Sequence, residues 1–328
     1  MIRIEIGKNE QEQRLDKFLR KYLENAPLSF IYKAIRKDVK VNGKRGKEDT
    51  VLHFGDEILL YISDADMEKF QKRRRVNRTR RQFGIAYEDD NLLAAVKPLG
   101  LLTHGDSSEK KNHLANQVVD YLIDKEEFNP RLEKTFTPAP VNRLDRNTTG
   151  LVLFGKNAMS LQTLNQMVRE KDKIRKMYLT IVGGRMEKPL HLMDRMVKNE
   201  EKNRIAVVPI TESGKEMETI AVPLQYGTFC GRECTLAEVE IITGRTHQIR
   251  AHLAAAGYPV LGDSKYGDKM INAAAGRKFG LSCQLLHAYR LKFENCPDSL
   301  SYLSGKEFTA ELPESFMRIK KHIFEQDE

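Results

Sequence analysis

Between residues 69 and 83 the chain carries eight basic side chains and no acidic one. Lys69, Lys72, Arg73, Arg74, Arg75, Arg78, Arg80 and Arg81 cannot share an apolar core. Like charges repel, and each ion would lose its hydration. The block therefore divides the chain into residues 1–68 and residues 84–328, with a basic linker between them. It also carries nearly all of the net charge of +9, because residues 1–68 hold 13 basic and 13 acidic residues and residues 84–328 hold 34 and 33. A positive excess confined to one short block points to a polyanionic partner rather than to a generally basic surface.

The rest of the composition sets broad limits. A chain of 328 residues is long enough for two domains, since single cores seldom grow past about 250–300 residues. Apolar and charged fractions of 40% and 31% describe a soluble globular protein. No apolar run approaches the roughly 18 residues of a membrane span, and Met1-Ile2-Arg3-Ile4-Glu5 lacks the layout of a signal peptide. The expectation is a cytoplasmic protein without a membrane partner. Cys230, Cys234, Cys283 and Cys296 are too few for a disulfide scaffold. Reduced thiols are expected.

Leu15, Phe18, Leu19, Tyr22 and Leu23 fall on one face of a helix. After Pro27, Ser29 is a candidate cap for a second short helix carrying Phe30, Ile31, Ala34 and Ile35. Val39 to Lys44 reads as a strand ending in an Asn-Gly turn, and Ile58 to Ile62 as another strand. Beyond the linker, helices are expected over 114–123, around Ala158 to Val168, and over 246–256. Strands are expected over 151–154, 178–182, 205–208 and 236–242. Strands and helices mixed without a regular βαβ rhythm predict an α+β fold with a mixed, largely antiparallel sheet.

Two segments concentrate reactive side chains. In Asn142-Arg143-Leu144-Asp145-Arg146-Asn147-Thr148-Thr149-Gly150 an acid sits between two arginines, just before an apolar strand. A carboxylate beside guanidinium groups tends to stay ionised even when partly buried, and a turn feeding a strand is a stiff mount. The second segment is Gly244-Arg245-Thr246-His247-Gln248-Ile249-Arg250-Ala251-His252. His247 and His252 are five residues apart, which is not the His-x-x-x-His spacing of a helical zinc site. No metal site is expected.

Together these segments resemble the catalytic motifs of the pseudouridine synthases that modify large-subunit ribosomal RNA and some tRNAs. Lys97-Pro98-Leu99-Gly100, Gly262-Asp263-Ser264-Lys265-Tyr266-Gly267 and Leu286-His287-Ala288 resemble further segments of that family. Residues 1–68, with Arg14, Asp16, Ser29, Lys33, Arg36, Asn42 and Gly43, resemble an S4-type RNA-binding domain of small α+β fold. The resemblance implies a pseudouridine synthase catalytic domain over 84–328. Such an enzyme cuts C1′–N1 of a flipped-out uridine, turns the uracil and bonds C1′ to C5. No electrons are exchanged and no phosphate is moved, so no cofactor is implied.

What is implied is one carboxylate, to attack the sugar or to remove a sugar proton. The resemblance assigns this role to Asp145, its ion-pair partner to Arg245, and a base-stacking ring to Tyr178. Arg143 matches a position that fills the gap left by the flipped base. Lys33, Arg36, Arg73, Arg74, Arg75, Arg143, His247 and Arg250 are the candidates for RNA contact, with His247 also expected to order the loop bearing Arg245. The family usually has His, an acid and Ser where Asn142, Asn147 and Thr149 stand. The partner implied is ribosomal RNA or an assembling large subunit, met by a monomer, with tRNA as the alternative. A non-catalytic RNA-binding factor would have lost part of the trio Asp145, Tyr178 and Arg245, and all three residues are present.

Overall fold

The computed structural model describes residues 1–71, 79–130, 132–199 and 204–325. Arg73, Arg74 and Arg75 lie outside the described residues. The chain divides into two compact units. The first holds residues 1–81 and also takes residues 115–139 and 155–162, which sequence reading had placed with the C-terminal part. The second holds residues 82–114, 140–154 and 163–328.

In the first unit, Ile2–Glu5, Glu57–Leu60, Val39–Val41 and Lys44–Arg45 form a four-stranded antiparallel sheet in that order. Helices Leu15–Tyr22 and Leu28–Lys37 bury their predicted stripes against it: Leu15, Phe18, Leu19 and Leu23 from the first, Ile31, Ala34 and Ile35 from the second. Ser29 does not cap the second helix. The helix begins two residues earlier than that cap would place it, with Pro27 at the cap and no side-chain hydrogen bond there. The Asn42-Gly43 turn has both residues at positive φ, 50° and 76°, as a tight hairpin turn with matching twist requires. The Asn42 amide ties this turn to the start of the next strand, donating to Asp56 Oδ1 at 2.7 Å and accepting from Glu57 N at 2.9 Å. Asn9 holds the added segments, donating to both Glu133 oxygens at 2.9 and 3.0 Å and accepting from Ala158 N at 3.0 Å.

The second unit is built on an 11-stranded sheet. Its main path runs Arg204–Val208, Leu190–Asn199, Lys215–Phe229, Arg232–Ile241, Ile174–Gly183, Leu286–Phe293, Thr149–Gly155, Leu92–Lys97 and Gly84–Glu88. The pairing of Thr149–Gly155 with Leu286–Phe293 is parallel, and Ile174–Gly183 is antiparallel to both of its neighbours. The mixed, largely antiparallel sheet expected of the α+β fold is therefore present. Glu238 and Glu240 are each ion-paired to an arginine of another strand, Arg290 and Arg175 respectively.

One face of the sheet packs a core of Leu151, Leu153, Leu164, Met167, Phe293 and Phe308. A second core joins Ile181, Phe229, Leu236 and Leu261 to Phe316, Ile319 and Ile323 of helix Glu314–Phe324. Helix Gln248–Ala255 is buried from Gln248 through Leu253. It begins two residues later than the sequence suggested, because His247 takes a left-handed conformation (φ 54°) at its cap.

Candidate active site

Asp145 sits on the loop between Ala139–Pro140 and Thr149–Gly155, and its neighbours are fixed almost residue by residue. Asn142 accepts from Leu153 N at 2.8 Å and donates to Leu151 O at 3.3 Å. Leu144 is buried, and its backbone makes a reciprocal pair with the Thr103 hydroxyl at 3.1 and 3.2 Å. The Lys97 ammonium donates to Arg146 O at 3.0 Å, and to Leu101 O and Pro98 O at 2.8 and 3.1 Å. Thr148 N donates back to Asp145 O at 3.0 Å. The Thr149 hydroxyl lies 2.7 Å from His287 Nδ1. Because His287 Nε2 faces the Ala310 carbonyl at 3.2 Å, that nitrogen carries the proton and the Thr149 hydroxyl donates to Nδ1.

Gly150 completes the mount. Its φ is 110°, and a Cβ there would lie 2.1 Å from the Ala288 carbonyl oxygen. Only glycine lets the two parallel strands approach this closely. Asn142 and Thr149 thus both anchor this loop.

The carboxylate itself retains 22% side-chain exposure and lines a cavity of about 640 Å³. Arg250 Nη1 donates to Asp145 Oδ2 at 3.0 Å. This corrects the expected pairing with Arg245. Arg245 precedes the helix, is exposed, and donates through Nε to Glu216 O at 3.0 Å. Arg250 lies inside the helix on a buried face, with only 5% of its side chain exposed. Its other two nitrogens face Asp263, Nε to Oδ2 at 2.6 Å and Nη2 to Oδ1 at 2.9 Å. All three guanidinium nitrogens thus meet carboxylates, and this buried side chain supports the acid.

Asp263 is the member of this site to which the sequence alone assigns no role. Burial alone would raise its carboxyl, but Arg250 and the amides of Lys265 and Tyr266 hold it below the usual carboxylate range. The signal was present in Gly262-Asp263-Ser264-Lys265-Tyr266-Gly267, where the acid precedes a turn whose amides it accepts.

His247 closes the other side. Ile205 N donates to the Tyr266 hydroxyl at 2.8 Å, and that hydroxyl lies 3.1 Å from His247 Nδ1. With the hydroxyl donating to Nδ1, the imidazole proton sits on Nε2, which faces Asp145 Oδ2 at 3.8 Å. Burial depresses the imidazole pKa, and the Asp145 charge opposes that in part. His252 points elsewhere, to the Thr219 hydroxyl at 2.9 Å and Asp194 at 3.2 Å. The two histidines do not converge. Gln248 knits the segment together: its carbonyl accepts from Arg245 N and the Thr243 hydroxyl, and its amide donates to Glu218 O and Thr219 Oγ1.

Tyr178 lies on the strand Ile174–Gly183 and lines the same cavity. The pairing of this strand with Leu286–Phe293 shifts register between Met177 and Tyr178, with Tyr289 of the partner strand as the extra residue, while Tyr178 stays in regular register with Val239 on its other side. Burial, helped by the Asp145 charge, pushes its phenol well above the ordinary value. Burial pushes the Lys97 amine down to about 7, against the pull of Asp145. Arg143 is exposed and also lines the cavity, with Arg169, Lys171, Lys176, Lys215 and Arg245. Lys33 and Arg36 are exposed on their helix in the first unit, where Arg36 Nε also donates to Tyr32 O at 3.1 Å.

A carboxylate on a rigid loop, braced by a buried guanidinium and opening into a cavity with many basic side chains, fits an enzyme whose substrate is anionic. Comparison with known proteins narrows the class. A family described as RNA pseudouridylate synthase matches residues 91–255. "Ribosomal large subunit pseudouridine synthase C" of Vibrio parahaemolyticus is 33% identical over 298 residues, 89% of this chain and 88% of that one. The protein of the same name from Salmonella typhimurium is 34% identical over 298 residues, 88% of each chain. Among solved structures, human RNA Pseudouridylate Synthase Domain Containing 4 superposes with a TM-score of 0.54 at 21% identity, covering 72% of this chain and 91% of that one. That likeness speaks for the fold. The chain belongs to the RNA pseudouridylate synthase family, and it is an RNA pseudouridine synthase.

Proposed function

We propose that this enzyme isomerises uridines in large-subunit ribosomal RNA, with Asp145 as its reacting carboxylate. The observation that carries the reading is the placement of Asp145: pinned through its loop, braced by Arg250, and open to the cavity that Tyr178 lines. The relatives named as large-subunit synthases across 88% of the chain or more support the choice of substrate.

In this reading a uridine turned out of its RNA enters the cavity with its sugar against Asp145 and its base on the Tyr178 ring. An aromatic face holds a pyrimidine without fixing its rotation, which the reaction needs. Asp145 either adds to the sugar or takes a sugar proton. The C1′–N1 bond breaks, the uracil turns, C1′ bonds to C5, and the C5 proton is lost as N1 regains one. Atoms and electrons balance within the nucleotide, and the carboxylate is returned. Arg250 keeps the carboxylate in one orientation throughout, since Asp263 fixes the guanidinium plane. His247 limits the acid from the opposite side.

Arg143 and Arg245, exposed on the cavity wall, contact the RNA around the flipped nucleotide. The N-terminal residues, read as an S4-like domain, add Lys33 and Arg36. The basic block with Arg73, Arg74 and Arg75 grips phosphates and makes affinity steeply salt-dependent.

The test is pseudouridine mapping of total RNA from cells with and without the gene. Sites lost from large-subunit ribosomal RNA support both chemistry and substrate. Loss confined to tRNA keeps the role of Asp145 and discards the substrate. No lost site anywhere, in cells with no overlapping enzyme, removes the proposal.

A further inference from the structure

Lys176 is 7% exposed, yet among the described residues its ammonium has no hydrogen-bond acceptor and no carboxylate partner. A buried cation without a partner is costly. Lysines so placed are paired, neutralised or waiting for a ligand. Its amine is not sealed in the core, because the residue lines the cavity. Burial lowers its pKa and the Glu240 charge opposes that, but both Glu240 oxygens are taken by Arg175, at 2.8 and 2.6 Å. Glu240 pairs in register with Met177, so it stands on the opposite face of the sheet from Lys176.

We propose that Lys176 is a substrate contact, its ammonium taking a backbone phosphate oxygen of the nucleotide bound in the cavity. This rests on the reading of the cavity as the uridine site. Lys176 and Tyr178 are two residues apart on one strand and so share a face, roughly 7 Å apart. That matches the span from a stacked base to its own phosphate. Arg169 and Lys171 line the same cavity, so its wall gathers the positive charge that a phosphate requires. An ammonium is a point-charge binder of phosphate, and a full negative charge is what an unpaired buried cation lacks.

The experiment uses the full-length enzyme and an RNA carrying the mapped uridine. The RNA is made with native phosphates or with a neutral methylphosphonate at each phosphate flanking that uridine. Binding is measured in the Asp145→Asn background, and single-turnover product formation with Asp145 intact, for Lys176 and for Lys176→Met. Lys176→Met should weaken binding about tenfold and flatten the log Kd against log salt slope by about 0.7, as one lost single-strand phosphate contact requires. One methylphosphonate should cost the Lys176 protein a similar factor and cost Lys176→Met nothing further. The thermal midpoint of Lys176→Met should not fall, since an unpartnered buried charge is removed. If that variant does not fold, Lys176→Gln takes its place in the same cycle. Equal methylphosphonate costs in both proteins, or unchanged binding, overturns the proposal while leaving the uridine site intact. Absence of product from the Lys176 enzyme overturns the site and this inference together.

Discussion

Arg250 grips Asp263 through two nitrogens, at 2.6 and 2.9 Å, and turns its third toward Asp145 at 3.0 Å. The two-pronged contact fixes the guanidinium plane, and the plane fixes where the single contact to Asp145 points. Removing one partner of a buried pair leaves the other charge unpaired, at a cost of about 3–5 kcal/mol. Arg250→Met and Asp263→Asn should each lower the denaturation midpoint markedly and cut product formation. Arg245→Ala, at an exposed residue, should change stability by less than about 0.5 kcal/mol and act on RNA affinity instead. Chemical denaturation of the three variants side by side checks this. Equal destabilisation by Arg245→Ala would contradict the assignment.

Asp145→Asn keeps the shape of the side chain and its contact with Arg250 Nη1. It removes the charge that the chemistry requires. Single-turnover product should fall at least about a thousandfold, which corresponds to roughly 4 kcal/mol of transition-state stabilisation. RNA affinity should change little, because binding is spread over the basic side chains around the cavity. Near wild-type turnover by this variant would falsify the role given to Asp145.

The loop around Asp145 was legible because its function is written in consecutive residues. Arg143 to Gly150 forms one turn and one strand start, although the need for Gly150 comes from Ala288, on a strand far away in the sequence. The partner of Asp145 was not legible. Two arginines five residues apart compete for the role, and the choice depends on where the helix begins. His247 at φ 54° starts it at Gln248, leaving Arg245 before the helix and Arg250 within it. Nothing in the residue types announces that start.

Strand Lys215–Phe229 escaped for another reason. Pro223 lies within it, and proline argues against a strand interior; here a register shift between Pro223 and Gln225 accommodates it. Helix Lys269–Phe279 buries only Ile271 and Ala275, too thin a stripe for periodicity to reveal. The first unit was read more easily, since its two helices carry full apolar stripes. The segments 115–139 and 155–162 that join it are distant in sequence, and no local pattern foretells that.

Tyr178 offers a ring and a hydroxyl, and the two are separable. Burial keeps the phenol protonated through the working range. Tyr178→Phe should leave RNA affinity unchanged, and any loss of rate then belongs to the hydroxyl. Tyr178→Ala should lose a further factor in binding, worth about 1–3 kcal/mol if one base stacks on the ring. Equilibrium binding and single-turnover rates for both variants separate the roles. Unchanged affinity in Tyr178→Ala would remove the stacking.

Lys97 ties stability to pH in the same direction as a paired acid, but in a window several pH units higher. Its ammonium is wholly buried, with three carbonyl acceptors, and burial brings its pKa from the ordinary 10.5 to about 7. Below pH 7 both the folded and unfolded chains carry the proton, and the folded state bears the full burial penalty. As pH rises from 7 toward 10.5, the folded lysine is neutral while the unfolded one is still charged, so the penalty is progressively relieved. The unfolded state then binds more protons, and stability rises with pH by up to about 1.4 kcal/mol per unit from this group. Activity should run the other way. A neutral amine has two N–H donors for three carbonyls, so one contact is lost and the loop bearing Asp145 loosens at Arg146. The stability difference between wild type and Lys97→Met should therefore move in favour of wild type between pH 7 and 10. Wild-type kcat/KM should decline over the same range, and Lys97→Met should be slow at every pH without that decline. Parallel denaturation and rate profiles decide it, and a stability difference independent of pH would show that the lysine does not titrate in this window.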